Sequence, residues 1–187
     1  MQLRIHRAGF TVKTVFSERA RSSRAHRHTS YAALLAFLAA GAAHAGAAPG
    51  IVPDGGTHTS VTTSSNGRQT VSIAPSTYGV SSNTYSSFNV TPAGATLDNA
   101  RTIVNQVTST NPSLIEGDIT VLGSRANVVL ANPNGITVNG GSFINTGHVA
   151  LTTGQVSYVD LQLAPGQFQR NVVLNTQGGT MTIGPAA

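Results

Sequence analysis

Few side chains in this sequence could do acid–base or metal chemistry. Beyond residue 45, Glu116 and Asp118 are the one close pair of carboxylates, and their i, i+2 spacing puts both on one face if the segment is extended. Such a pair could act as general acid and base on a sugar, or begin a cation site. Gly117 between them reads as an exposed turn, however, and no third polar ligand stands nearby. The histidines of the same region, His58 and His148, each lack a second His or Cys at ligand spacing. The glycines follow asparagines and open no helix, so there is no phosphate-cradling loop, and no nucleophile motif is found. The expectation is a chain with no catalytic residue, no metal and no cofactor.

What does recur is an alternation of β-branched runs with Asn-Gly corners, densest over residues 127–154. Asn134-Gly135, Asn139-Gly140 and Asn145-Thr146-Gly147 supply residues that tolerate positive φ. Between them the chain has room only for short strands, with Ile136 and Val138, then Val149 and Leu151, pointing to a common interior. This pattern fits either stacked hairpins or the coils of a parallel β-helix, and periodicity does not choose between them.

Strands are expected at 97–107, 119–122, 127–131, 136–138, 148–152 and 156–163, with 172–174 and 180–183 forming a last coil. Residues 61–73 alternate around Ser65-Asn66-Gly67, a hairpin signal, and a cap is placed there to cover the first strand edges. Tyr85, Phe88 and Val90 are read as core residues at the junction of cap and coil. Val128, Val129, Leu130 and Ala131 are apolar on both faces, which predicts a further element packed on the wall. At about 20 residues per coil, six or seven coils are expected.

The formal charge of +5 suggests nucleic acid until the charges are located. Seven basic residues from Arg4 to Arg27 lie in the first thirty; beyond them stand Arg68, Arg101, Arg125 and Arg170 against Asp54, Asp98, Glu116, Asp118 and Asp160. The basic balance therefore belongs to a leader, and no nucleic-acid partner is expected. That leader has a basic segment, an apolar run over 31–43 that is short of the roughly 20 residues a membrane-spanning helix needs, and a small-residue site at Ala43 and Ala45. It reads as an extended signal peptide, 1–45, engaging the Sec translocon and cleaved after Ala45. Residues 46–187 then form one domain without cysteines, held by packing and backbone hydrogen bonds.

Residues 131–154, ANPNGITVNGGSFINTGHVALTTG, closely resemble the signature region of the two-partner secretion domain, the amino-terminal part of filamentous haemagglutinin-like and haemolysin-like exoproteins of Gram-negative bacteria. Residues 50–54 (GIVPD), 79–90 (GVSSNTYSSFNV) and 103–117 (IVNQVTSTNPSLIEG) are similar to that family as well. The resemblance implies an all-β, right-handed parallel β-helix with an N-terminal β cap. It also implies a partner, an outer-membrane β-barrel transporter with periplasmic POTRA domains, and a product that is secreted or held at the cell surface, where a host-cell surface is a further partner. By the same resemblance the recognition motif is Asn132, Pro133, Asn134, Gly135 and Ile136, with Asn145 and Gly147 beside it. Residues 154–170 depart from the family, and the domain is expected to be incomplete at its C-terminus, with an uncapped last coil prone to aggregation. The rival expectation is a stand-alone surface adhesin or carbohydrate-binding β-helix.

Overall fold

The structure, a computed structural model, describes residues 50–187 apart from residue 177. The expected leader, with Ala43 and Ala45, lies outside the described residues. Among those residues the chain forms strands and no helix. In order these are β1 (Val52–Pro53), β2 (Ser60–Thr63), β3 (Gln69–Ser72), β4 (Val80–Ser87), β5 (Ala95–Leu97), β6 (Thr102–Val107), β7 (Ser113–Ile115), β8 (Ile119–Val121), β9 (Ala126–Ala131), β10 (Ile136–Val138), β11 (Phe143–Ile144), β12 (Thr146–Thr152), β13 (Gln155–Ala164), β14 (Gln167–Asn175) and β15 (Met181–Ile183).

Three parallel sheets make the walls of a coil. The longest stacks β4, β6, β9 and β12, the second stacks β3, β5, β8 and β11, and the third stacks β7, β10 and β15. Each circuit visits the three in turn, so the chain is a parallel β-solenoid of about four turns. Six or seven coils were expected. Hydrogen bonds between coils do join residues 20 to 25 apart, so the length per coil is near the expectation. The surplus residues go into a lead-in and an external hairpin instead of further rungs.

Registry makes the interior. Ser81, Ile103, Val128 and Val149 stack in one column, Asn83, Asn105, Leu130 and Leu151 in the next. On the second sheet Ala95, Ile119 and Phe143 align, as do Val71, Leu97 and Val121. Most of these side chains are buried, and each fully buried aliphatic contributes about 1.5–3 kcal/mol. Tyr85 and Phe88 pack edge to face at 5.0 Å in the same core, as expected of them.

The N-terminal end is capped by antiparallel strands. β2 pairs with β3 across the Ser65-Asn66-Gly67 turn, and β1 lies antiparallel on β4. At the other end the columns finish in the exposed side chains of Val149, Met181 and Ile183.

Two sequence expectations need correction. Residues 156–163 and 172–174 are not rungs of the coil: β13 and β14 pair only with each other, antiparallel, on either side of Pro165-Gly166. This hairpin is the cover that the two-sided apolar run requires, since Val80, Val104 and Val129 are buried beneath Val156, Tyr158 and Val172. Residues 181–183 do join the last turn, with Met181 and Ile183 in register with Ile136 and Val138.

Candidate recognition motif

The Asn-Pro-Asn-Gly segment forms the corner between β9 and β10. Pro133 occupies the second position of a tight turn closed by the Gly135 N–H donating to the Asn132 carbonyl at 3.1 Å. The Asn132 side chain makes a second, local turn by accepting from the Asn134 N–H at 3.0 Å. Its amide also donates down to the coil beneath, to the Asn111 carbonyl and to Ser113 Oγ, each at 2.9 Å, while its own N–H donates to the Thr152 carbonyl on the coil above. Asn132 is completely buried and ties three turns together.

Asn134 is exposed, yet its amide donates to the Ser109 carbonyl at 2.7 Å. Gly135 has φ 115, and a Cβ there would meet the Thr180 carbonyl oxygen at 3.0 Å, so only glycine fits. Ile136 points inward at 1% exposure, between Ser113 and Met181.

Asn145 and Gly147 sit elsewhere, Asn145 on the corner between β11 and β12 and Gly147 just inside β12. Asn145 adopts φ 58 and donates to the carbonyls of Val121 and Gly123 at 2.9 and 2.8 Å. Gly147 is not a corner glycine. It lies in a bulge of β12, where the register shifts between Thr146 and Val149, and a Cβ would meet Asn127 Oδ1 at 2.8 Å. That oxygen accepts from the His148 N–H at 3.1 Å. The expected motif is thus split over two corners.

Sequence reading missed the partners of these asparagines. Asn111-Pro112-Ser113 lies one coil beneath Asn132-Pro133-Asn134, and the repeated Asn-Pro was the available signal. Asn99 is the counterpart of Asn145, donating to the carbonyls of Leu122 and Ser124. Inside the wall, Asn83 and Asn105 donate to the carbonyls of Val104 and Val129 on the following coils at 3.1 and 3.3 Å, and Tyr85 donates its hydroxyl to Asn105 at 2.9 Å. Burial pushes the Tyr85 pKa well up, so it stays a donor.

The acids are spent on structure too. Gly117 is buried, not an exposed turn: a Cβ there would collide with the Thr91 carbonyl oxygen of the neighbouring coil. Asp118 accepts from Arg68 at 2.9 Å, a hydrogen bond that holds its pKa below the ordinary carboxylate value. Arg68 reaches on to Thr96 and Thr120 and to the carbonyls of Ala93 and Ala95, bridging coils along the wall. Asp54 is depressed as well: burial opposes ionisation, but bonds from Thr84, the Gly56 N–H and Thr108 outweigh it. Both His58 and His148 are exposed. No group of three His, Cys, Asp or Glu side chains that could hold a metal ion occurs among the described residues. An open groove of about 560 Å³ runs between β14 and the wall, bordered by Arg101, Asn127, His148 and Asn171.

Fold and corners together define a capped parallel β-solenoid that uses its amides and acids to fasten one coil to the next. A family model described as the TPS secretion domain matches residues 49–187. The chain is 37% identical to a hemolysin of Serratia marcescens over 66% of its length, and 34% identical to the filamentous hemagglutinin of Bordetella pertussis over 73%. It is 36% identical to the tRNA nuclease CdiA-2 of Burkholderia pseudomallei over 68%. It spans 9%, 4% and 5% of those three proteins. A crystal structure of a filamentous hemagglutinin secretion domain superposes with a TM-score of 0.62 at 34% identity, covering 72% of this chain and 50% of that one. The chain belongs to the TPS secretion-domain family. It is a module of a secreted two-partner exoprotein, and the family implies a cognate outer-membrane transporter.

Proposed function

We propose that residues 46–187 are a non-catalytic export address, read by the periplasmic POTRA domains of the transporter while the chain is still extended. Asn132, Pro133, Asn134, Gly135 and Ile136 are its main segment, and Asn145 and Gly147 extend it. The single observation that carries this reading is the burial of the motif in the folded coil. Asn132 and Ile136 are at 0% and 1% exposure, and the amides of Asn132, Asn134 and Asn145 are bonded to neighbouring coils. Of the main segment, a receptor meeting the folded domain would find little beyond Asn134 and the edge of Pro133, while at the other corner Gly147 is exposed and Asn145 partly so. In the extended chain the same amides are free, and a strand rich in Thr, Asn and Ser is suited to pairing with a sheet edge.

On this reading the signal peptide, cleaved after Ala45, delivers the chain through the Sec translocon to the periplasm. Folding then follows emergence at the cell surface, and the exoprotein's host-facing activity belongs to the longer polypeptide. The test is co-expression of the full chain with its transporter and measurement of secreted protein. Asn134→Ala is expected to lower secretion several-fold while the purified variant keeps the wild-type circular dichroism spectrum. Wild-type secretion with an unaltered spectrum removes the motif from the address.

A further inference from the structure

The hairpin formed by β13 and β14 leaves the coil after its fourth strand on the longest wall and lies across that wall. Beneath it are Val80 from the first strand of the stack, Val104 from the second, Val129 from the third and Ala150 from the fourth. One hairpin therefore touches every rung, whereas in a plain solenoid each rung contacts only its neighbours. It is also fastened at the far end. Tyr158 Oη lies 2.7 Å from Ser82 Oγ, across 76 residues of sequence. Phe168, beside the hairpin tip, stacks on Tyr78 with ring centroids 5.1 Å apart.

Arg170, paired to Asp160 at 2.6 Å, places its guanidinium 5.8 Å from the Tyr78 ring and 5.3 Å from the Tyr158 ring. Such contacts hold both aromatics. Tyr78 itself has φ 51 in the turn joined by Thr77 and Val80. That conformation is disfavoured for a bulky residue and persists only where the surroundings hold it. Its ring is the piece of the first coil that receives the hairpin.

We propose that residues 155–175 are a closing clasp. The first coils stack reversibly as they form, and docking of the hairpin onto Tyr78, Val80 and Ser82 converts the four turns into one cooperative unit. The coil nearest the cap is then locked by a segment that follows the fourth strand of that wall in sequence. This inference does not depend on which residues the transporter reads.

Native-state hydrogen exchange on the full chain tests it, with Tyr158→Phe and Phe168→Ala as variants. Tyr158→Phe removes one hydroxyl and keeps the ring, so the domain stays folded. A clasp predicts that protection of the β4 amides falls together with that of the β13 and β14 amides, by about fivefold for one lost hydrogen bond. Phe168→Ala should lower both sets further. Loss of protection confined to the hairpin, with β4 at wild-type values in both variants, overturns the proposal.

Discussion

Replacing Asn132 with alanine should destabilise the domain far more than its position in a surface loop of the sequence suggests. The substitution removes two donated bonds at 2.9 Å, to the Asn111 carbonyl and Ser113 Oγ, and two accepted bonds, from the Asn134 N–H at 3.0 Å and from the exposed Asn134 side-chain amide at 3.1 Å. Asn111 is exposed, so water can replace its lost partner. Ser113 is at 2% exposure, so its hydroxyl loses a partner where water does not reach. With about 1 kcal/mol for each neutral hydrogen bond and 1–3 kcal/mol for a buried polar group left unsatisfied, the expected loss is about 3 kcal/mol. Urea denaturation of the purified domain reads this directly. At a slope of about 2 kcal/mol per molar, the midpoint should fall by about 1.5 M.

The double variant with Ser113→Ala sharpens the test. Removing the hydroxyl also removes the orphan, so the two losses should sum to less than their parts by about 1 kcal/mol. Strict additivity, or an unchanged midpoint for Asn132→Ala, refutes the picture of Asn132 as the pin through three coils.

Gly117→Ala should cost several kcal/mol, because its Cβ would collide with the Thr91 carbonyl oxygen and meet the Gly94 nitrogen at 2.8 Å, backbone atoms of one hydrogen-bonded turn that has little room to yield; thermal unfolding of the purified variant measures it. The Arg68–Asp118 pair should add pH-dependent stability. Its folded pKa is lowered by the Arg68 bond, so the contribution is present above the ordinary carboxylate range and is lost as pH falls through and below it. With both side chains about 30% exposed (27% and 31%), the contribution is at most about 1 kcal/mol. Asp118→Asn should therefore lower the urea midpoint at pH 7, and its difference from wild type should shrink as pH falls below the unfolded carboxylate value near 3.9.

The sequence carried the strands because their cause is local. Ile136-Thr137-Val138 and Ile119-Thr120-Val121 alternate strictly, and each places its β-branched ends inward. The cap was legible for the same reason, through the turn at Asn66-Gly67. Even the covered wall could be read from Val128 to Ala131, since a strand apolar on both faces needs two neighbours. The identity of the cover could not be read. A period of two is common to a parallel rung and to an antiparallel hairpin, so residues 156–163 passed for coil. The Pro165-Gly166 turn, with Gly166 at φ 76, was the local mark of the reversal.

Gly117 and Gly147 were misread because their reason lies on another coil, in the Thr91 carbonyl and the Asn127 side chain. Arg68 bonding Asp118 50 residues away is likewise invisible until registry is known. At the motif, residue type marked the Asn134-Gly135 corner and the family resemblance added Asn132 and Pro133, but neither showed the grip on Asn111 and Ser113.

The column Asn83, Asn105, Leu130 and Leu151 shows why polar side chains belong in an otherwise dry interior. Every side-chain nitrogen or oxygen buried among the described residues has a hydrogen-bond partner, so the amides carry no desolvation debt, yet against a well-packed leucine their net contribution to stability is small. Their effect is on registry. A slip of one residue would turn Asn105 out of the wall and leave the Tyr85 hydroxyl buried without its acceptor, which costs about 1–3 kcal/mol on top of the inverted hydrophobic pattern. The first two turns therefore have one permitted alignment. Later turns inherit that alignment through continuous backbone pairing, and there the column changes to Leu130 and Leu151, which add burial without further specification. A coil that must select one registry needs the amides where winding starts and the leucines where it only continues.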